Sequence, residues 1–358
     1  MSGSIIMHLP PINLHIYPQI AMSYGSISVD GRSRPASPSA SLDSPDFSSV
    51  QRHVNQALRS SRASVQQIER LQGRLHRIYL LSIADGSRLV LKCRPSCNTR
   101  LLRHEQQSLE AEARVLDMVK VNAVYLPLPS RLKYDPEGSG IGAPFLLRSY
   151  LLGTPLSHPA LRLSTAERAR IDATLGAHLR SLSALRAPAF GPFCRVLAGT
   201  GSPTWREAFL SLLESVLRDA EDMMLSVPYD GIRYCVAQHA HLLDQVTEAR
   251  LVALDAGLPR NVLVDERSRQ VCGLLGFGNV VWGDPAMAGV FAGASEAFYE
   301  GFGQLPARSG AERVRMLIYA VYRAVVAVVT HYYRPQSDDE ELEARRSLTW
   351  ALNQLAVV

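Results

Sequence analysis

Residues 251–265 read LVALDAGLPRNVLVD, and residues 271–288 read VCGLLGFGNVVWGDPAMA. Short apolar runs bounded by Gly, Pro, Asn and Asp predict two buried strands, NVLVD over 261–265 and VCGLLGF over 271–277. Between the first apolar run and NVLVD lies a loop with Asp255 at its start and Asn261 at its end. Two readings of that loop stand side by side. In one, Asp255 is a base near an acceptor hydroxyl and Asn261 a metal ligand, as phosphoryl transfer requires. In the other, Asp255 starts a turn and Asn261 caps it, which Asp and Asn do routinely.

Around this pair the sequence is mainly helical. Ser164-x-x-Glu167 and Thr204-x-x-Glu207 are capping boxes, each opening a run with apolar residues on one face. A long helix is predicted over 311–333, closed by Pro335. The acidic run 338–343 reads as the solvated start of another helix. Upstream the periodicity changes. RIYLLSIADGSRLVLKC (77–93) places Asp85-Gly86 between two β-rich runs, a hairpin signal because Gly accepts the positive φ of the turn. Helical spacing follows at Leu109, Ala113, Leu116 and Val119, and then a strand, PFLLRSYLL (144–152). A short helix is expected within 55–71, so the predicted N-terminal order is helix, strand, strand, helix, strand.

A phosphoryl-transfer site also needs a cation on the phosphates and an anchor for that cation. Only three of the 38 basic residues are lysines: Lys92, Lys120 and Lys133. Lys92 sits centrally in the apolar strand RLVLKC, and Glu112 in the following helix is its expected partner, ahead of Glu110 and Glu105.

These residues and their order resemble the aminoglycoside phosphotransferase and choline kinase family, particularly its fungal branch. The resemblance rests on QGRLHRIYLL, RLVLKC, EAEARVLDMV, PFLLRSYLLGTPL, LRAPAFGPF, TWREAF, LVALDAGLPRNVLVD, GLLGFGNVVWGDPAMA and YAVYRAVVAVVTHYYR, spread over 71–334. It implies an α+β, two-lobed protein-kinase-like fold with a small β-rich N-lobe and a larger, mainly helical C-lobe. The expected division is a tail over 1–50, an N-lobe over 51–148, a hinge over 149–156 and a C-lobe over 157–358. It also implies ATP and Mg²⁺ as cofactors. Lys92, Glu112, Gly73 and Tyr150 would then serve the nucleotide, Asp255 catalysis, and Asn261 the metal.

Three departures from the family pattern fall on its chemistry. Ala253 stands where the family's catalytic loop has histidine. The step from Asp255 to Asn261 is one residue longer than the family's. Gly276 replaces the principal magnesium-binding aspartate. A metal bridging the phosphates contributes several kcal/mol in the transition state, and each 1.4 kcal/mol or so is a decade in rate. Losing half of that contribution removes orders of magnitude. The departures therefore imply a degenerate, pseudokinase-like member whose cleft serves small-molecule binding or a non-phosphoryl reaction, in a fungal secondary-metabolite pathway. The alternatives are an active ATP-dependent O-phosphotransferase and a non-catalytic regulatory or binding protein.

Composition narrows the remaining classes. The net charge is +5 and the pI about 9, but the basic residues are scattered and do not interleave with aromatics, which argues against nucleic acid. Five cysteines without metal-ligand spacing fit reduced thiols in a cytoplasmic protein. The most apolar stretch, 316–329, carries Arg323 and is short for a membrane span. The start of the chain is interrupted by Pro10, Pro11 and Pro18 and lacks the charged opening of a secretory signal. The Ser/Pro-rich segment that follows predicts a disordered tail over roughly the first 50 residues. A small molecule is the expected partner, and the oligomeric state stays open.

Overall fold

A computed structural model describes residues 45–122, 125–303, 310–335 and 338–358. The N-terminal part contains α1 (Phe47–Leu58), β1 (Val65–Leu71), β2 (Arg77–Ile83), β3 (Arg88–Cys93), α2 (Ser108–Val121), β4 (Arg131–Asp135) and β5 (Phe145–Ser149). The five strands form one antiparallel sheet in the order β1-β2-β3-β5-β4. The Asp85-Gly86 turn links β2 to β3 as expected, with the Gly86 N–H donating to the Ile83 carbonyl over 3.0 Å.

Alternation along the strands gives this sheet two different faces. Tyr79, Leu81, Leu89, Leu91, Phe145 and Leu147 pack on one side against Val50 and Val54 of α1. Lys92 lies opposite Leu146, and Val90 opposite Arg148, so these four share the other side. Helix α2 covers part of that side through Leu109, Ala113 and Leu116, which pack on Leu146. The remaining face of α2, with Ala111, Val115 and Val119, belongs to the core of the helical region. The helix therefore lies between the two halves of the molecule.

After β6 (Thr154–Pro155) the chain becomes mainly helical, with α3 (Thr165–Leu182), β7 (Arg186–Ala187), β8 (Gly191–Pro192), α4 (Phe193–Leu197), α5 (Trp205–Asp222) and α6 (Tyr229–His239). Then come β9 (Ala249–Ala253), β10 (Val262–Val264), β11 (Val271–Leu274), β12 (Val280–Gly283), α7 (Glu296–Phe302), α8 (Gly310–Tyr333) and α9 (Asp338–Ala356). Two small antiparallel sheets, β11-β10-β6 and β7-β9-β12-β8, hold the loop between β9 and β10. The Ser164–Glu167 capping box forms in both directions. Thr204 caps α5 by accepting from the Glu207 N–H. Asp284 of the WGDP turn accepts from the Ala286 N–H and the Tyr319 hydroxyl, and Tyr319 accepts from Trp205 Nε1.

Several expectations need correction. Residues 1–44 of the predicted tail lie outside the described residues, but residues 47–50 form the first turn of α1. Asp46 caps that turn, and Ser49 and Val50 are buried in it. The helix expected within 55–71 ends at Leu58, where Arg59 turns left-handed, and β1 follows. The N-terminal order therefore has two strands more than predicted, β1 and β4. Helix α8 is apolar and long enough to pass for a membrane span, yet its apolar face is buried in the helical core. The five cysteines are free thiols.

Candidate active site

A cavity of about 720 Å³ lies between the five-stranded sheet and the helical region. Gly73, Lys92 and Tyr150 line it from one side, and Asp255, Asn261 and Gly276 from the other. Six of the seven residues singled out in the sequence therefore share one cleft. The seventh, Glu112, stands behind Lys92 and pairs with it directly. The alternatives are engaged elsewhere: Glu110 pairs with Arg114, and Glu105 with Arg334.

The Lys92–Glu112 pair arises from the fold's layering. Lys92 is on the sheet face toward α2, and Glu112 is on the buried side of that helix. Burial by itself would raise the Glu112 carboxyl. The charges of Lys92 and then Arg148 outweigh burial and hold it below its ordinary value. Arg148 Nε lies 3.5 Å from the other Glu112 oxygen. Sequence reasoning missed this arginine, although a charged residue inside PFLLRSYLL was a usable signal.

The β1–β2 turn is folded tightly on itself. A Cβ at Gly73 would lie 2.5 Å from the His76 carbonyl oxygen, so the close approach requires glycine. Arg74 reaches across the cleft to Glu340 of α9, and Arg77 donates to the Arg94 carbonyl. His76 is buried within hydrogen-bond distance of the Ser108 hydroxyl, at 3.2 Å. Burial, followed by the charges of Lys92 and Arg334, pushes its pKa down from 6.5 to about 2, so the ring is neutral. Tyr150 follows β5 and stacks under the Arg88 guanidinium at 4.8 Å.

On the opposite wall, the Asp255 carboxylate faces Arg260 at 3.5 Å. Asn261 donates its side-chain amide to the Asp255 main-chain carbonyl over 2.8 Å, which closes the loop. Gly276 has φ +89°, and a Cβ there would sit 2.6 Å from Asn261 Nδ2 and 3.0 Å from the Asp255 carbonyl. Asn261 thus caps the loop through its amide nitrogen, a bond that does not engage its side-chain oxygen. Sequence reasoning did not single out Arg260 for the site either. Its position between Asp255 and Asn261 was the available signal.

The fit to a magnesium ion is poor. Mg²⁺ requires near-octahedral oxygen ligands, with carboxylates supplying the charge. Gly276 offers no side chain, Asn261 offers only a neutral amide oxygen, and Asp255 faces an arginine. Among the described residues no group of three or more His, Cys, Asp or Glu side chains could hold a metal ion. Lys92, by contrast, suits an anionic group on a cavity ligand.

A model of the phosphotransferase enzyme family matches residues 66–317. No curated protein sequence matches the chain. Among solved structures, a candidate aminoglycoside phosphotransferase from Ralstonia eutropha JMP134 superimposes with a TM-score of 0.61 at 13% identity, covering 87% of this chain and 98% of its own. A candidate fructosamine-3-kinase from Haemophilus somnus 129PT gives 0.61 at 14% identity, covering 86% of this chain and 96% of its own. A thermostable mutant of aminoglycoside phosphotransferase APH(4)-Ia, in ternary complex with AMP-PNP and hygromycin B, gives 0.60 at 14%, covering 87% and 100%. These likenesses carry the α+β, two-lobed kinase-like fold. The family match spans most of the chain, and by that measure this chain belongs to the phosphotransferase enzyme family.

Proposed function

We propose that this family member does not perform magnesium-dependent phosphoryl transfer and uses its interlobe cavity to bind a small molecule or act on it by non-phosphoryl chemistry. The observation that carries this reading is the position of the Asn261 amide. It lies where a side chain at residue 276 would have to pass, bonded to the Asp255 carbonyl. Phosphoryl transfer depends almost wholly on positioning and electrostatics, so a site without its metal carboxylate loses most of its rate. The resemblance to the family's fungal branch is the ground for proposing a secondary-metabolite ligand. The reduced cysteines are the ground for proposing a cytoplasmic location. The test is ATP turnover with Mg²⁺ against a panel of hydroxylated small molecules. No turnover above the protein-free rate is expected. Turnover that disappears in Lys92→Met overturns the reading.

One observation favours a second reading, an ATP-dependent O-phosphotransferase: the intact Lys92–Glu112 pair, with Asp255 on the cavity wall. Asp255 would then accept the acceptor's hydroxyl proton while Lys92 steadies the phosphates. The same turnover assay separates the two.

A further inference from the structure

Arg148 brings a second cation to the wall of the cleft. Lys92, Glu112 and Arg148 are nearly enclosed, with side-chain exposures of 15%, 6% and 9%. One carboxylate thus faces two cations. Arginine does not deprotonate in proteins, so the cluster carries one uncompensated positive charge. Arg148 Nε is buried and has no hydrogen-bond partner among the described residues. The other enclosed acids around the cavity do not supply the missing charge. Glu105 faces Arg334, Glu340 faces Arg74, and Asp255 faces Arg260. His76 is neutral, and Glu69 is exposed. Two enclosed cations that share one carboxylate beside a cavity are electrostatically incomplete until a second anion meets them.

We propose that Lys92 and Arg148 together form a metal-independent anion site that holds a phosphate or carboxylate group of the cavity's ligand. The inference rests on the reading of the cleft as one without a magnesium site. It adds the chemical class of the ligand and a residue that determines it. Glu112 acts as the shared counter-ion that keeps both cations aimed at the cavity. The arginine fork can take two oxygens of a phosphate or carboxylate at once, while the lysine contributes a point charge.

The test is calorimetric titration of the full chain with pyrophosphate and, separately, with citrate, in EDTA and again in excess Mg²⁺. At least one probe is expected to bind in EDTA, with an affinity that Mg²⁺ does not improve. The tighter of the two identifies phosphate or carboxylate as the source. Arg148→Met should weaken that binding at least tenfold, whereas Arg148→Lys should retain most of it. Lys92 keeps Glu112 paired in both variants, and thermal unfolding checks that each is folded. No binding of either probe in EDTA, or equal binding by Arg148→Met and the natural chain, overturns the inference. Magnesium-dependent ATP turnover would instead overturn the proposed function, so the two failures are distinguishable.

Discussion

The Asn261 amide nitrogen and the Asp255 carbonyl oxygen lie 2.8 Å apart and close the β9–β10 loop from within. The bond spans the six-residue step from Asp255 to Asn261. It also uses the asparagine as a structural cap and fills the space beside Gly276.

Gly276→Asp should therefore not restore a magnesium site. Aspartate tolerates positive φ better than most residues, so the main obstacle is the Asn261 amide. Displacing it sacrifices the hydrogen bond to Asp255 and adds backbone strain. A loss of about 1–3 kcal/mol is expected in denaturant unfolding, with no magnesium-dependent gain in ATP affinity by calorimetry. A stable variant that binds Mg·ATP would show that the loop opens easily.

Glu112→Gln should be the most damaging single change in the cleft. It leaves Lys92 and Arg148 facing each other without a counter-charge, a situation that costs about 3–5 kcal/mol. Lys92→Met should cost less, because Arg148 still serves Glu112. The natural carboxyl is held below 4.5, so its contribution is complete above pH 4.5 and is lost as pH falls below that value. Thermal melts of the two variants across pH 3–7 check the order and the direction. Equal losses would mean that Arg148 does not hold the carboxylate.

His76 should make the protein sensitive to mild acid. Its folded pKa is depressed to about 2, so the unfolded chain takes up a proton first, near pH 6.5. Stability from this residue is complete above pH 6.5 and declines as pH falls toward the folded value. The loss by pH 5 is about 2 kcal/mol. His76→Gln should flatten the stability profile between pH 7 and 5 in urea titrations. An unchanged slope would mean that the ring is protonated in the fold.

Tyr319→Phe should cost about 1–3 kcal/mol, because it leaves the buried Trp205 Nε1 without an acceptor and removes one donor from Asp284, which keeps the Ala286 N–H and Arg315. The midpoint of guanidinium unfolding measures this. A shift within error would indicate that water replaces the hydroxyl.

The parts of this site that were legible in the sequence are those written in local pattern. Lys92 stands out as a lone amine in an apolar strand, and Glu112 follows one helix later at the right spacing. Gly276 is legible only against the family pattern. The strands β1 and β4 were missed because they sit at the sheet's edges. β1 buries only Val65 fully, and no residue of β4 is fully buried, so neither shows a clean alternation. The Asn261 bond was undetermined because its acceptor is a main-chain carbonyl, which every residue carries. Arg148 was passed over because PFLLRSYLL satisfies a strand pattern despite it. Its meaning appears only when β5 is set beside β3 and its side chain is found facing the same carboxylate as Lys92.

Helix α2 has one face in the helical core and the other on Leu146. The segment just before it is tied to the large half, with Arg103 bound to Asp219 and Asp222, and Glu105 bound to Arg334. The helix is thus moored to the helical half, although the chain order groups it with the sheet. The Lys92–Glu112–Arg148 cluster lies on the seam where β3 and β5 meet this helix. Lys92 and Arg148 border the cavity and Glu112 stands behind them, so the cations that face a ligand also buckle the sheet to a helix held by the other half.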